Sequence, residues 1–113
     1  MDKDDIRKKL EKVRLSYIAS LDDKREEIDQ HWRKLNENWD NETYDNLYLI
    51  VHSLAGSAET FGFPELTQRS RSIVDLFKQA NSRPFDNDTN QEVDTNILEL
   101  LNMLTIVSRH HSE

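Results

Sequence analysis

The sequence predicts an all-α fold, an antiparallel up-down four-helix bundle with an additional N-terminal helix. Three observations carry that expectation. Apolar residues recur at spacings of three and four along almost the whole chain, which places them on single helical stripes. Of the 113 residues 35% are hydrophobic and 33% charged, a mix that suits slim amphipathic helices with broad wet faces. Only 2 Gly and 2 Pro are present, too few for a loop-rich fold, and the β-branched and aromatic residues do not fall in alternating runs. Short polar connections between such helices imply antiparallel neighbours.

Ile6, Leu10, Val13, Tyr17 and Leu21 form the first stripe. Ser20-Leu21-Asp22-Asp23 reads as a capping signal, so a short helix is expected over 1–20, with the bundle proper over 21–110 of a single 1–113 domain. One long bent helix is the rival reading. The stripe resumes through Ile28, Trp32, Leu35 and Trp39, the tryptophans being expected to fill the core or close its end. After a polar turn over Asn36–Asn41, the next helix starts near Asn41 or Thr43 and carries Leu47, Val51, Leu54, Ala58 and Phe61. Gly62 suits the left-handed position that ends a helix, and Pro64 the first turn of the next. That helix carries Leu66, Ile73, Leu76, Phe77 and Ala80. Asn81–Asp88 is the clearest loop, and Thr89 with Glu92 matches a capping box. The last helix follows with Val93, Ile97, Leu100, Leu101, Leu104 and Val107, and the tail Arg109–Glu113 is expected to fray.

Composition narrows the function. The absence of cysteine excludes disulfides, thiol catalysis and Cys-based zinc sites. The formal charge of −7, with acids and bases interleaved, argues against nucleic acid as a partner, because phosphate neutralisation needs a basic face. The charged start Met1-Asp2-Lys3-Asp4-Asp5 lacks the apolar core of a signal peptide, and no stretch approaches the ~20 apolar residues of a membrane span. A cytoplasmic, monomeric protein without membrane insertion is the expectation.

His52 is the most informative residue. A helix turns ~100° per residue. With Leu47 set at zero, the apolar stripe spans ~320° to ~40°, His52 falls near ~140° and Gly56 near ~180°. The imidazole therefore belongs to the wet side, with a glycine one turn beyond it. Glycine inside a helix costs ~1 kcal/mol relative to alanine, so its place calls for a reason. Steric clearance for an approaching partner fits that angle better than packing against another helix. Neutral imidazole is a nucleophile near physiological pH, since histidine titrates near ~6.5.

The string His52-Ser53-Leu54-Ala55-Gly56-Ser57-Ala58, followed by Phe61-Gly62 and Leu66, resembles the histidine phosphotransfer (HPt) domain family of phosphorelays. The resemblance implies a four-helix bundle whose exposed His52 accepts a phosphoryl group and exchanges it with a receiver-domain aspartate, Gly56 keeping its flank open. Partners would be a response-regulator receiver domain, a histidine kinase, or both. No cofactor is expected on this chain, the Mg²⁺ belonging to the receiver. Two positions depart from the family pattern: Ala55 stands where many members carry lysine, and Val74 where a polar or acidic side chain is common. Lys78, Arg71 or Arg69 could supply a substitute cation. Glu59 could accept the proton of the far ring nitrogen or be a solvated acid, and Ser57 belongs to the same supporting segment. Tyr44, Tyr48 and Leu49 flank the His52 face as a possible docking ring.

No nucleotide-binding loop or kinase pattern is present, so the expectation is a phosphoryl carrier without its own ATP site. One alternative is an HPt-like docking module that binds a signalling partner without transfer. Another is a metal-binding bundle using His31, His110 and His111, which no His-Glu-x-x-His pattern supports.

Overall fold

The computed structural model describes residues 2–111, apart from the His111 side chain, and is all-helical over that span. Four helices follow one another: α1 (Lys3–Glu37), α2 (Asn41–Thr60), α3 (Pro64–Gln79) and α4 (Asn87–His111). Each packs on two neighbours, α1 and α3 both lying against α2 and α4, so the bundle is a simple square.

The expected short N-terminal helix is corrected: residues 3–37 form one uninterrupted helix of 35 residues. Ser20 does not cap anything. Its Oγ donates to the Tyr17 carbonyl oxygen at 2.6 Å, a bond made inside a running helix. Asp22 takes the Arg25 guanidinium one turn on, at 3.1 Å. Ile18 and Leu21 are buried on either side of the supposed break, so bundle packing holds the helix through it. With no Gly or Pro inside α1, nothing local interrupts it.

The inner stripes match the helical spacing. Leu21, Ile28, Leu47, Val51, Ala58, Ile73, Val93, Ile97, Leu100 and Leu104 are fully buried in one core. Asp40 caps α2, its carboxylate accepting the Thr43 N–H at 3.2 Å and the Thr43 hydroxyl at 2.7 Å. Those donors hold its pKa below the ordinary carboxylate value. Gly62 takes φ +80 after α2, and Pro64 opens α3. The capping-box reading at Thr89 and Glu92 is corrected as well. Asp86 is the cap, accepting the Thr89 N–H at 2.8 Å, so α4 starts at Asn87 and absorbs the end of the expected loop. The helix also runs through Arg109–His111, where fraying was expected; Ser112 and Glu113 lie outside the described residues.

The loop between α3 and α4 contributes a core residue. Phe85 is 9% exposed and sits among Trp39, Tyr44, Phe77 and Trp32, with ring centroids at 5.1, 5.7, 5.8 and 6.4 Å. This aromatic cluster closes the end of the bundle where α1 ends and α2 begins. Trp32 Nε1 donates from the cluster to Asp94 Oδ1 on α4 at 2.7 Å. Removing that acceptor strands a buried N–H, so Asp94→Ala is expected to lower unfolding stability by about 1–3 kcal/mol, read as a fall in the urea midpoint at unchanged slope.

Candidate functional site

The site lies on the groove between α2 and α3. Val51, Leu54 and Ala58 of α2 and Leu66, Ile73 and Phe77 of α3 are buried together, which fixes how the two helices face each other. Ala55 and Val74, 7% and 5% exposed, form the floor where the helices meet. His52 stands exposed above that floor on the α2 lip. On the α3 lip, Arg71, Asp75 and Lys78 follow at spacings of four and three, all exposed. Together with Gly56 these residues line an open cleft of about 320 Å³.

The imidazole has a wall on one side and nothing on the other. Tyr48, one turn before it, lies nearly parallel to the ring, with centroids 6.0 Å apart and planes 19° apart. Tyr48 is half-buried and leans on core Phe77 at 6.2 Å, so the wall is anchored. One turn after His52, a Cβ built on Gly56 would meet no atom within 4 Å. No packing demand of the described residues therefore accounts for the glycine, and an alanine would fit. Among the described residues no side chain hydrogen-bonds to the His52 ring.

Glu59 does not reach the imidazole. It pairs with Arg71 across the groove, a short charge-assisted bond between two exposed side chains. Lys78 lines the cleft without an ion pair among the described residues. Three expected site residues are placed elsewhere. Arg69 turns toward α4, where it donates to Asn96 Oδ1 at 2.7 Å and pairs with Glu99 at 2.8 Å. Ser57 faces α1, its Oγ 2.8 Å from the Tyr17 hydroxyl, on the side of α2 away from the cleft. Tyr44 belongs to the core, 1% exposed, its hydroxyl donating to the Phe77 carbonyl oxygen at 3.4 Å, so it cannot join a docking ring. Leu49 does stand out, 60% exposed.

Asp75 is the cleft residue that sequence reasoning missed. Its signal was available in the Arg71-Asp75-Lys78 spacing, but which face of α3 met α2 was not. The side chain of His111, one of the three histidines of the metal-binding alternative, lies outside the described residues. His31 Nδ1 is engaged with the Glu27 carbonyl oxygen at 2.6 Å, and among the described residues no three His, Asp or Glu side chains converge as a metal would require.

The cleft thus brings together an exposed imidazole, an open flank and two cations on the far lip. The sequence model of the Hpt domain matches residues 15–109, most of the chain. The chain belongs to the Hpt domain family. Searches of the curated proteins and of the solved structures return no match. Hpt domains carry phosphoryl groups in two-component signalling; they interact with receiver domains and histidine kinases and are not kinases themselves. The match opens at Leu15, next to Arg14, which lies over the Phe63 ring where α1 first meets the bundle. No helix among the described residues is long and apolar enough to cross a membrane.

Because the space beside Gly56 is empty, Gly56→Ala should stabilise this Hpt domain by up to ~1 kcal/mol, a rise in melting temperature of roughly 4 °C. A calorimetric melt that shows a loss instead would mean the glycine is needed by the fold.

Proposed function

We propose that His52 is the phosphoacceptor of a phosphorelay module and exchanges its phosphoryl group with a receiver-domain aspartate. The observation that carries this reading is the exposed imidazole held between the Tyr48 wall and the vacant flank at Gly56. The lone pair of the unprotonated ring nitrogen forms the P–N bond as the acyl P–O bond of the aspartyl phosphate breaks. The aspartate leaves as a carboxylate, and the far ring nitrogen keeps its proton, exposed to water. The reverse step returns the group to a receiver. Such transfer is chiefly a matter of positioning and charge stabilisation, and the receiver brings its own acidic pocket and Mg²⁺. The bundle need only hold the ring still, which the anchored Tyr48 supports.

The apolar floor at Ala55 and Val74 means that cations must come from α3. Lys78 is the first candidate, since it lines the cleft and makes no ion pair among the described residues. Arg71 is the second, although Glu59 holds it in the unphosphorylated domain. An exposed ion pair contributes at most ~1 kcal/mol, whereas a phosphoryl group offers Arg71 charge-assisted, bidentate bonds. Arg71 thus moves from Glu59 to the phosphoryl oxygens once His52 is modified. Leu49 and Tyr48, beside the ring, form the apolar patch on which the receiver seats. The same floor favours one rival, a docking module that seats a receiver without accepting phosphate.

Incubation with a phosphorylated receiver separates the two. Acid-labile label on wild type and none on His52→Gln supports transfer, whereas binding without label supports docking. Gly56→Gln, which fills the open flank, is expected to slow transfer by on the order of 100-fold while the domain stays folded.

Releasing Arg71 should also be measurable. Glu59→Gln is expected to shift the equilibrium toward phospho-His52 by about fivefold, the equivalent of ~1 kcal/mol, and Arg71→Gln to shift it the other way. Quantifying label on both partners at equilibrium reads the effect; unchanged ratios in both variants would remove Arg71 from the site.

A further inference from the structure

Asp75 lines the His52 cleft, and neither the attack of the imidazole nor the cations opposite it account for a carboxylate there. Two contacts fix its height along the groove. The Glu59–Arg71 pair crosses the groove at one end of the cleft, and Tyr48 leans on Phe77 at the other. His52 lies near the middle of that stretch of α2, and Asp75 near the middle of that stretch of α3. Each residue advances about 1.5 Å along its helix, so the two antiparallel helices bring the carboxylate to about the height of the imidazole.

On α3 its neighbours are Arg71, four residues before, and Lys78, three after. At those spacings a helix ordinarily closes an ion pair. Neither pair forms among the described residues. Arg71 is taken by Glu59, and Asp75 is left exposed with no hydrogen bond or ion pair. The charges around the cleft then cancel: Arg71 and Lys78 stand against Glu59 and Asp75. A phosphoryl group on His52 adds about −1.5 to −2 of charge at pH 7. It enters a site with no surplus of positive charge, whereas the same site without Asp75 would have one. The buried floor, Ala55 and Val74, brings no side-chain donor to offset the repulsion.

We propose that Asp75 biases the relay outward: with His52 as the phosphoacceptor, on which this inference rests, the Asp75 carboxylate repels the phosphoryl group and keeps phospho-His52 a strong donor to a receiver aspartate. In the outward step the P–N bond breaks, the ring nitrogen recovers its lone pair, and the receiver carboxylate takes the phosphoryl group. The dianion leaves Asp75 behind. The inward step must return it against that charge. Asp75 touches neither the bond that forms nor the one that breaks; it acts through space on the phosphorylated state. The opposite role, accepting the proton of the far ring nitrogen, would stabilise phospho-His52. The ring carries no such bond among the described residues, and its close neighbour is Tyr48.

The test is an equilibrium. The full chain is mixed with a receiver domain that has been phosphorylated with labelled acetyl phosphate and freed of the donor, and the label on each protein is measured. Using one receiver for every variant cancels its own preference, and a change in docking alone alters the rate but not the ratio. Asp75→Asn is expected to raise the ratio of phospho-His52 to phospho-receiver about fivefold. The gap from wild type should narrow as salt rises from about 0.02 to about 0.5 M, as a through-space charge effect must. Asp75→Glu, which keeps the charge, should hold the wild-type ratio. An unchanged ratio in Asp75→Asn, a shift toward the receiver, or an Asp75→Glu ratio that follows Asp75→Asn overturns the proposal. A wild-type chain that takes no label overturns His52 as acceptor and this inference with it. Label on the wild type with an unmoved ratio in Asp75→Asn removes Asp75 alone.

Discussion

The packing of α2 on α3 governs what this molecule can do. The buried set Val51, Leu54, Ala58, Leu66, Ile73 and Phe77 fixes the rotation of each helix about its own axis. Once that rotation is set, His52 has one place to stand and the α3 side chains opposite it are decided. Ala55 and Val74 are small enough to let the two backbones approach, and their burial makes the groove floor dry. The apolar core acts here as a jig: it performs no chemistry, yet an error of one residue in register would carry the histidine and the facing cations away from each other.

Rigidity comes from the opposite direction as well. Tyr48 spans the distance between core and surface, resting on Phe77 inside and facing the imidazole outside. Phe77 in turn belongs to the aromatic cluster with Tyr44 and Phe85. The His52 ring is therefore buttressed by a chain of rings that ends in the closed end of the bundle. Its open side is the Gly56 side.

The sequence made the inner stripes legible because helix periodicity is local. Leu47, Val51, Leu54 and Ala58, or Val93, Ile97, Leu100 and Leu104, can be read without knowing what they touch. The exposure of His52 and the open flank of Gly56 followed from the same rule. What stayed hidden depended on the third dimension. Ser20 and Asp22 look like a cap until Ile18 and Leu21 are seen holding the helix together across them. Tyr44 looks like a neighbour of the site until its burial beside Phe77 is known. Arg69 and Arg71 are two residues apart and equally basic, yet one turns to Glu99 on α4 and the other to Glu59 on α2. Asp75 escaped notice because a face of α3 cannot be assigned before its partner helix is placed. Phe85 escaped because a polar loop gives no periodic cue for a residue that plugs the core.

The empty space next to Gly56 has a genetic corollary. Folding does not police that position, so replacements there escape the quality control that removes misfolded chains. An allele that fills the gap would yield an abundant, well-folded protein altered only on its surface, whereas damage to the core would lower the amount of folded chain.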